Sequence, residues 1–261
     1  MRTVQATRYV LPLREGGSVP ALVEGDDLGL YVVKLRGAGQ GSKALVAELV
    51  AGELARALGL TVPEIVFIEL DVRLAASEPD PELLRPLEAS AGLNLGMDYL
   101  PGSITFDPIV GPIPNRTTAS LIVLFDAFVM NVDRTARNPN ILSWHGRPWL
   151  IDHGASLYFH HSWRPGNRLE SAADPFREVR DHVLLPWASD LRAAASHLQT
   201  LITSDIIGRI AQQIPDSWLL ADTAPADVPK LAGDYAAWLQ ARTQALHIFL
   251  EEAERVRALR V

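Results

Sequence analysis

Two short segments near the middle of the chain carry three polar side chains in a fixed order. The first has Asp133 five positions before Asn138, and the second has Asp152 directly after the apolar run Trp149-Leu-Ile. The turn-forming pair His145-Gly146 between the segments predicts a hairpin, which would bring Asp152 back beside Asn138. Any one of these residues could be an ordinary turn or cap former. The ordered set of three instead favours a helix, a loop and a hairpin that converge on one cleft.

Composition excludes several classes of protein. The 261 residues are enough for one large domain or for two lobes around a cleft. With 24 Lys and Arg against 31 Asp and Glu, the net charge is −7, so general nucleic-acid binding is not expected. The absence of cysteine excludes disulfides and a thiol nucleophile. Neither a signal peptide nor a long apolar run is recognisable, so we expect a cytoplasmic protein without a membrane partner.

The first seventy residues predict the order strand, strand, strand, helix, strand. The expected strands are 9–13, 20–23, 30–35 and 63–70, and the expected helix is 43–58. Turn-forming residues separate the first three strands, which predicts an antiparallel meander. We expect Ser42 to cap the helix and Gly59 to end it. Residues 77–92 read as a loop insertion with one short helical pattern.

The chain changes character after Pro101. A short strand over 95–102 leads into a hinge near 98–103, and a strongly apolar helix follows over 117–131, capped by Thr117 or Thr118. Beyond the hairpin lies a long polar stretch, 153–180, and the rest is mainly helical. The fold class predicted is therefore α+β and bilobal, as one domain overall. The boundaries are 1–100 for a β-rich N-terminal lobe and 101–261 for a helical C-terminal lobe.

The chemistry of the ordered set is that of phosphoryl transfer, which needs the triphosphate to be held, neutralised by a metal and aligned with an acceptor hydroxyl. Asp133, on a loop that leaves a buried helix, could accept the proton of the attacking hydroxyl. Asn138 and Asp152 offer the hard oxygen ligands that Mg²⁺ prefers. Lys34, at the end of an apolar strand, is in a suitable place to reach the phosphates. Glu48 or Glu53 could pair with Lys34, and we favour Glu48 because a stripe of small residues shares its face of the helix.

Two Gly-rich segments and a hinge complete the set of candidate nucleotide contacts. Gly16, Gly17 and Ser18 form a turn in the first hairpin, where backbone amides could approach phosphate oxygens. Residues 37–42 do not match a P-loop, because Lys43 follows Ser42 instead of preceding it. At the hinge, Met97 and Tyr99 suit an adenine pocket. An ordinary hairpin turn would have the same sequence features as the Gly16–Ser18 segment, and an ordinary edge strand would have those of the hinge.

With these residues in place, the chain resembles the HipA-like kinases and, more distantly, the phosphatidylinositol kinases and protein kinases. The resemblance covers roughly residues 9–160 and rests on the following motifs: Gly16-Gly-Ser18, Tyr31-Val-Val-Lys34, Ala47-Glu48, Asp98-Tyr-Leu-Pro101, Asn131-Val-Asp133-Arg-Thr-Ala-Arg-Asn138-Pro-Asn140 and Ile151-Asp-His-Gly154. It implies a bilobal protein-kinase-like fold and a kinase with ATP and Mg²⁺ as cofactors, in which lobe 1–100 binds ATP and lobe 101–261 is catalytic.

By this resemblance, Asp133 would be the catalytic base or hydroxyl-orienting residue and Lys34 would contact ATP. Asn138 and Asp152 would bind the metal. Two departures affect catalysis. His153 stands where many kinases have the Phe of Asp-Phe-Gly, and Thr135 stands where they have a Lys. Arg137 could supply the missing positive charge near the γ-phosphate. A DNA-binding partner is not carried over.

Two other functions remain open at this point. A pseudokinase or nucleotide-binding regulator would keep the fold without turnover. A metallohydrolase would use His153, His160 and His161, although no metal-binding spacing links them. The acceptor is unknown and could be a protein Ser or Thr or a small molecule. A basic stretch after Asp152 could favour an anionic acceptor or an autophosphorylated Ser162.

Overall fold

The computed structural model describes residues 1–13, 20–78, 80–164, 167–220 and 223–260. Its strands are β1 (Thr3–Pro12), β2 (Ala21–Gly25), β3 (Leu30–Lys34), β4 (Ile65–Leu70), β5 (Gly92–Asp98), β6 (Ile104–Thr105), β7 (Ile141–Trp144) and β8 (Arg147–Leu150). Its helices are α1 (Ser42–Ala57), α2 (Pro81–Ala89), α3 (Arg116–Val129), α4 (Leu191–Leu201), α5 (Ser204–Ala211), α6 (Asp216–Leu219), α7 (Val228–Gln244) and α8 (Leu246–Ala258). Short 3-10 helices lie at Val72–Ser77, Tyr158–Ser162, Glu170–Ala173, Arg177–Asp181, Leu185–Trp187 and Pro225–Asp227.

Five of the strands close into a barrel in the order β1-β2-β3-β5-β4. The predicted antiparallel meander of β1, β2 and β3 is confirmed. The first strand begins at Thr3 instead of residue 9, and its early residues alternate between exposed and buried, with Val4 and Ala6 inside. These residues pair in parallel with β4, with Val4 opposite Ile68. The early part of β1 therefore closes the barrel, a long-range pairing that local turn signals do not predict.

Helix α1 is buried on nearly all sides, from Leu45 to Ala55. The predicted cap at Ser42 is wrong, because Ser42 is the first helical residue and Gly41 precedes it with φ of 68°. Only a residue that tolerates the left-handed region turns the chain there without strain. The predicted end of the helix is confirmed, since Gly59 has φ of 79° and its amide donates to the carbonyl of Arg56.

The insertion predicted at 77–92 is more ordered than a loop, because it contains α2. Asp80 caps this helix by accepting a hydrogen bond from the amide of Glu82. Helix α2 packs close to the turn after β3: the Ser90 hydroxyl accepts a bond from the Gly37 amide at 2.9 Å. The side chain of Asn94 accepts one from the Arg36 amide at 2.8 Å. The insertion thus supports the chain that joins β3 to α1.

Helix α3 and the hairpin β7–β8 lie next to each other in the second half of the chain. The predicted caps at Thr117 and Thr118 are wrong, because the side chain of Asn115 accepts the hydrogen bond from the Thr118 amide. Nearly the whole helix is buried. The predicted turn at His145-Gly146 is confirmed, with both residues at positive φ. Strand β8 ends at Leu150, so Asp152 lies two residues beyond the strand instead of at its end.

Helices α4, α7 and α8 pack against α3, and helices α5 and α6 pack against α1 and α7. One hydrophobic core runs from α1 and β5 through α3 to α8, and a smaller one fills the barrel. The last helical segment expected from the sequence is two helices, α7 and α8, which meet at Ala245. Within the described residues, no helix has both the length and the apolar character needed to cross a membrane.

Candidate active site

A cavity of about 940 Å³ lies between the barrel and the loops that precede and follow the hairpin β7–β8. Its volume is within the range of sites that hold small ligands and cofactors. Six residues predicted from the sequence line it, and they are Lys34, Met97, Tyr99, Asp133, Asn138 and Asp152. The turn after β3, with Gly39 and Gly41, forms part of the wall. Residues far apart in the chain therefore meet at one concave surface.

Lys34 is at the centre of a charged group on the barrel side. Its Nζ is 2.6 Å from Glu48 Oε2, and it also forms an ion pair with Asp152. Glu53 lies 3.4 Å from Arg56 instead, so Glu48 is the helix acid that pairs with Lys34. Burial alone would raise the pKa of Glu48, but the Lys34 charge and the hydrogen bonds from His153 and Lys34 together lower it. Burial would lower the pKa of Lys34, and the two carboxylates raise it above its usual value. Lys34 and Glu48 are therefore held in their charged forms.

His153 is fully buried directly beside this group. Its amide donates to Glu48 Oε1 at 2.9 Å, and its ring Nδ1 lies 3.3 Å from the same oxygen. The ring is edge-on to Phe125, with centroids 6.1 Å apart. The residue that departs from the Asp-Phe-Gly pattern therefore keeps an aromatic contact and adds a polar contact to Glu48. No local sequence signal predicts this role, and only the position next to Asp152 places His153 near the site.

Asp133 faces the cavity at the start of the loop after α3. Its Oδ2 accepts a hydrogen bond from Asn138 Nδ2 at 2.7 Å and a longer one from Asn140 Nδ2 at 3.4 Å. Partial burial, with the nearby Asp152 charge, raises the pKa of Asp133. Asn140 Nδ2 also lies 3.5 Å from the carbonyl oxygen of Asp152. Asn140 thus connects the two segments, a role that sequence analysis missed although the residue belongs to the same motif.

The donor atoms at the cavity suit a hard divalent cation. Because Asn138 points its Nδ2 at Asp133, its Oδ1 is left for another partner. The Asp152 side chain is 42% exposed, and its backbone has a φ of 54° that directs it from the end of the hairpin into the cavity. Carboxylate and amide oxygens are the ligands that Mg²⁺ takes, usually together with waters and phosphates. Asn138 and Asp152 therefore fit the metal that the sequence predicts.

Histidines do not form an alternative metal site in the described ranges. No group of three or more His, Cys, Asp or Glu side chains there is arranged to hold a metal ion. His153 contacts Glu48, and His160 is buried with its Nδ1 3.1 Å from the Tyr235 hydroxyl. These contacts are those of core histidines and give the metallohydrolase alternative no support.

Arg137 and the Gly16–Ser18 turn complete the predicted set. Arg137 is exposed on the loop and is not among the residues that line the cavity, so its role near the γ-phosphate stays a prediction. Gly16, Gly17 and Ser18 lie outside the described residues.

Comparisons with known proteins give a family and a fold for this chain. The model of a family described as HipA-like kinase matches residues 8–237. The crystal structure of the Helicobacter pylori proinflammatory kinase CtkA aligns with a TM-score of 0.59 and 13% identity, over 97% of this chain and 99% of that one. A search of curated protein sequences finds no significant match.

Two structures of the Golgi casein kinase align less closely. The one with Mn and ADP bound has a TM-score of 0.45 and 13% identity, over 94% of this chain and 73% of that one. The other has a TM-score of 0.49 and 13% identity, over 100% of this chain and 75% of that one. Because both scores are below 0.5, the likeness of fold rests on the CtkA structure, and it shows a kinase-like α+β fold.

Proposed function

Because the chain belongs to the HipA-like kinase family, we propose that it is an ATP-dependent kinase acting on the hydroxyl of a protein Ser or Thr or of a small molecule. In this proposal Mg-ATP binds between two lobes, 1–100 and 101–261, in the cavity of about 940 Å³. One observation carries it: Lys34 from the barrel and Asp133, Asn138 and Asp152 from the second half of the chain line the same cavity.

Each of these side chains has a role that its surroundings support. Asp133 orients the acceptor hydroxyl and takes its proton, which its raised pKa favours. Lys34, held by Glu48, offers a fixed positive charge to the phosphates. Met97 and Tyr99 line the cavity beside β5 and provide the adenine pocket. In the turn after β3, Gly39 and Gly41 contribute only backbone to the cavity wall, which leaves room there for a nucleotide.

Asn138 and Asp152 would hold Mg²⁺, which neutralises charge on the phosphates when bound. Lys34 contacts Asp152, and Asn138 contacts Asp133. The ion pair and the hydrogen bond keep four polar side chains in place and close to one another before any ligand enters. Such preorganisation reduces the rearrangement that catalysis would otherwise require.

Replacement of Asp133 tests the proposal. We expect Asp133→Asn to lower phosphoryl transfer at least about 100-fold, the scale of lost general-base catalysis, with nucleotide binding retained. Asp205→Asn is the matched control, because Asp205 lies on α5 with its side chain 80% exposed. The measurement is ³²P transfer from ATP to protein and metabolite acceptors and to water, with ATP affinity determined by calorimetry. Full turnover in Asp133→Asn would contradict the assignment, and nucleotide binding without any transfer in the wild type would indicate a pseudokinase.

Glu48→Gln and Glu53→Gln provide a second matched pair in the same experiment. Both residues lie on α1, but only Glu48 pairs with Lys34. We expect Glu48→Gln to weaken ATP use and Glu53→Gln to leave it unchanged. Equal effects would mean that the Lys34–Glu48 ion pair has no part in nucleotide binding.

A further inference from the structure

A buried polar cluster lies behind the Asp133 loop, on the side away from the cavity. It consists of Asp126 on α3, Asn131 and Arg134 on the loop, and His182 far along the chain, all at most 4% exposed. Among the described residues, none of these four side chains lines the cavity. A charged cluster at this depth is costly unless its members satisfy one another. Because the cluster lies directly behind Asp133, the proposed base, it is in a position to hold the Asp133 loop in place.

Arg134 connects the two segments that bear the proposed catalytic and metal-binding residues. Its Nε donates to Asp126 Oδ2 at 2.6 Å. Its Nη1 donates to the backbone carbonyls of Asn140 and, at 3.4 Å, Ile151. Asn140 lies two residues after Asn138, and Ile151 directly precedes Asp152. One guanidinium therefore fixes the backbone close to both Asn138 and Asp152. Although Asp133 and Arg134 are neighbours in sequence, they face opposite sides of the loop.

His182 attaches the loop to a more distant part of the chain. It forms an isolated antiparallel bridge with Thr135, and the amide of Val183 donates to the Arg134 carbonyl at 3.1 Å. The Nδ1 of His182 accepts a hydrogen bond from the Leu184 amide at 3.0 Å, so this nitrogen carries no proton. The proton is therefore on Nε2, which donates to Asp126 Oδ2 at 2.9 Å. His182 is a neutral donor of fixed tautomer.

Asp126 joins all of these groups. One carboxylate oxygen accepts from Arg134 and His182, and the other accepts from Asn131 Nδ2 at 3.0 Å. Asn131 in turn accepts a hydrogen bond from the amide of Asp133 at 3.2 Å. Burial would raise the pKa of Asp126, but the Arg134 charge and the His182 bond lower it to about 2. The carboxylate is therefore charged at every pH at which the protein would act.

We propose that Asp126 and His182 are positioning residues for phosphoryl transfer: through Asn131 and Arg134 they fix the backbone of Asp133 relative to the Asp152 segment without touching the nucleotide. The inference rests on the proposed function, because it assigns a role in that reaction. It also makes a claim about loop geometry that holds or fails without any activity. Groups that orient residues in direct contact with the reactants commonly affect rate more than nucleotide affinity.

Three variants of buried histidines test this role. His182→Phe keeps an aromatic ring but removes the donor to Asp126. His182→Gln keeps an N–H donor at similar reach. His160→Phe is the matched control, because His160 is also a buried histidine with one side-chain hydrogen bond, to Tyr235, and lies outside the cluster.

Two readouts are measured on the full chain. Hydrogen–deuterium exchange of residues 131–140 reports whether the loop is held. The kcat and the KM for ATP report the consequence for transfer. We expect His182→Phe to speed exchange in this segment about 10-fold or more and to lower kcat about 10- to 100-fold with little change in KM. His182→Gln should recover most of both, and His160→Phe should change neither.

The possible outcomes separate the two claims. The positioning role is overturned if His182→Phe exchanges no faster over 131–140 than His160→Phe, or if His182→Gln recovers nothing. If His182→Phe does not fold, Asn131→Ala provides the same comparison, because it removes the side chain that links Asp126 to the Asp133 amide. Absence of transfer activity in the wild-type protein would contradict the proposed function. The hydrogen–deuterium exchange comparison would still decide whether the cluster holds the loop.

Discussion

Individual histidines in this protein have very different surroundings from those their sequence context suggests. His153, His160 and His182 are all buried, and each has a specific hydrogen-bonding partner. His153 and His160 lie among polar residues in a stretch that the sequence suggests is solvated. The environment of a histidine depends on which distant helices pack against it, as Tyr235 does against His160, and this information is not local.

Two of these histidines predict acid sensitivity. Burial lowers the pKa of His160 and of His182. His182 faces Asp126, which partly opposes the shift, and Arg134, which adds to it. As pH falls through about 6.5, the unfolded chain takes up protons that the folded protein resists, so the free energy of unfolding decreases. We expect urea unfolding midpoints to be clearly lower at pH 5.5 than at pH 7.5.

His160→Phe provides the control for this pH dependence. His160 faces Tyr235, and the charges of His161 and Lys43 also disfavour its protonation. The variant removes one of the two groups, so its midpoint should fall less between pH 7.5 and 5.5 than that of the wild type. An equal fall in both proteins would assign the acid sensitivity to other groups.

The sequence predicts which residues gather at the site better than it predicts how they are held. Asp133, Asn138, Asp152 and Lys34 belong to motifs whose spacing is set by local chemistry, and all of them line the cavity. The buried cluster behind them was not recognisable, because His182 lies 56 residues from its partner Asp126. Without a structure, nothing links a polar residue in one segment to its distant partner in another.

At the scale of secondary-structure elements, the packing of α2 against the turn after β3 makes a specific prediction. A Cβ built on Gly37 would lie 2.6 Å from the Ala89 Cβ and 2.9 Å from the Pro86 carbonyl oxygen. Neither atom belongs to a flexible side chain, so Gly37→Ala must displace the turn or the helix. We expect the free energy of unfolding to fall by about 1–3 kcal/mol, as measured by urea denaturation.

Gly208 is the matched control for this substitution. It lies inside α5, and an added Cβ would meet no atom within 4 Å. Since glycine is a poor helix former, Gly208→Ala should raise the free energy of unfolding by about 0.5–1 kcal/mol. If Gly37→Ala left the free energy of unfolding unchanged while Gly208→Ala raised it, α2 would be able to move away from the added methyl group without loss of stability.

Helix ends show where local sequence signals succeed and where they fail. The end of α1 at Gly59 and the hairpin turn at His145-Gly146 were predictable, because glycine there adopts the positive φ that the turn requires. The N-terminal caps are not predictable in the same way. Several polar residues lie near the start of α3, and Asn115 is the cap instead of Thr117 or Thr118. The choice among adjacent capping residues depends on how the preceding chain enters the helix.

At the scale of the whole molecule, ligand binding should stabilise the folded protein. If Mg-ATP binds the cavity, saturation at about 100 times Kd adds about 2.7 kcal/mol. For a chain of this size that corresponds to a rise in Tm of roughly 5–10 °C. Differential scanning fluorimetry with Mg-ATP, against Mg²⁺ with inorganic phosphate as control, measures it. No shift at millimolar Mg-ATP would mean that the cavity does not hold the nucleotide.

The barrel and the C-terminal helices are closely connected despite the proposed division into lobes. The Trp218 indole donates to the Leu93 carbonyl at 3.0 Å, and its ring packs edge-on against Phe67. His197 Nε2 lies 3.1 Å from the Leu58 carbonyl oxygen. These contacts join α6 to strands β4 and β5 of the barrel and α4 to the end of α1.

The burial of α1 has a consequence for synthesis of the chain. Residues that complete the barrel core end near β5, but α1 packs against α5 and α6, which follow more than a hundred residues later. At translation rates of about 5–20 residues per second, the apolar faces of α1 therefore remain without α5 and α6 for many seconds during synthesis. A nascent chain halted between β5 and α5 should bind chaperones through α1, and it should release them once α6 has emerged.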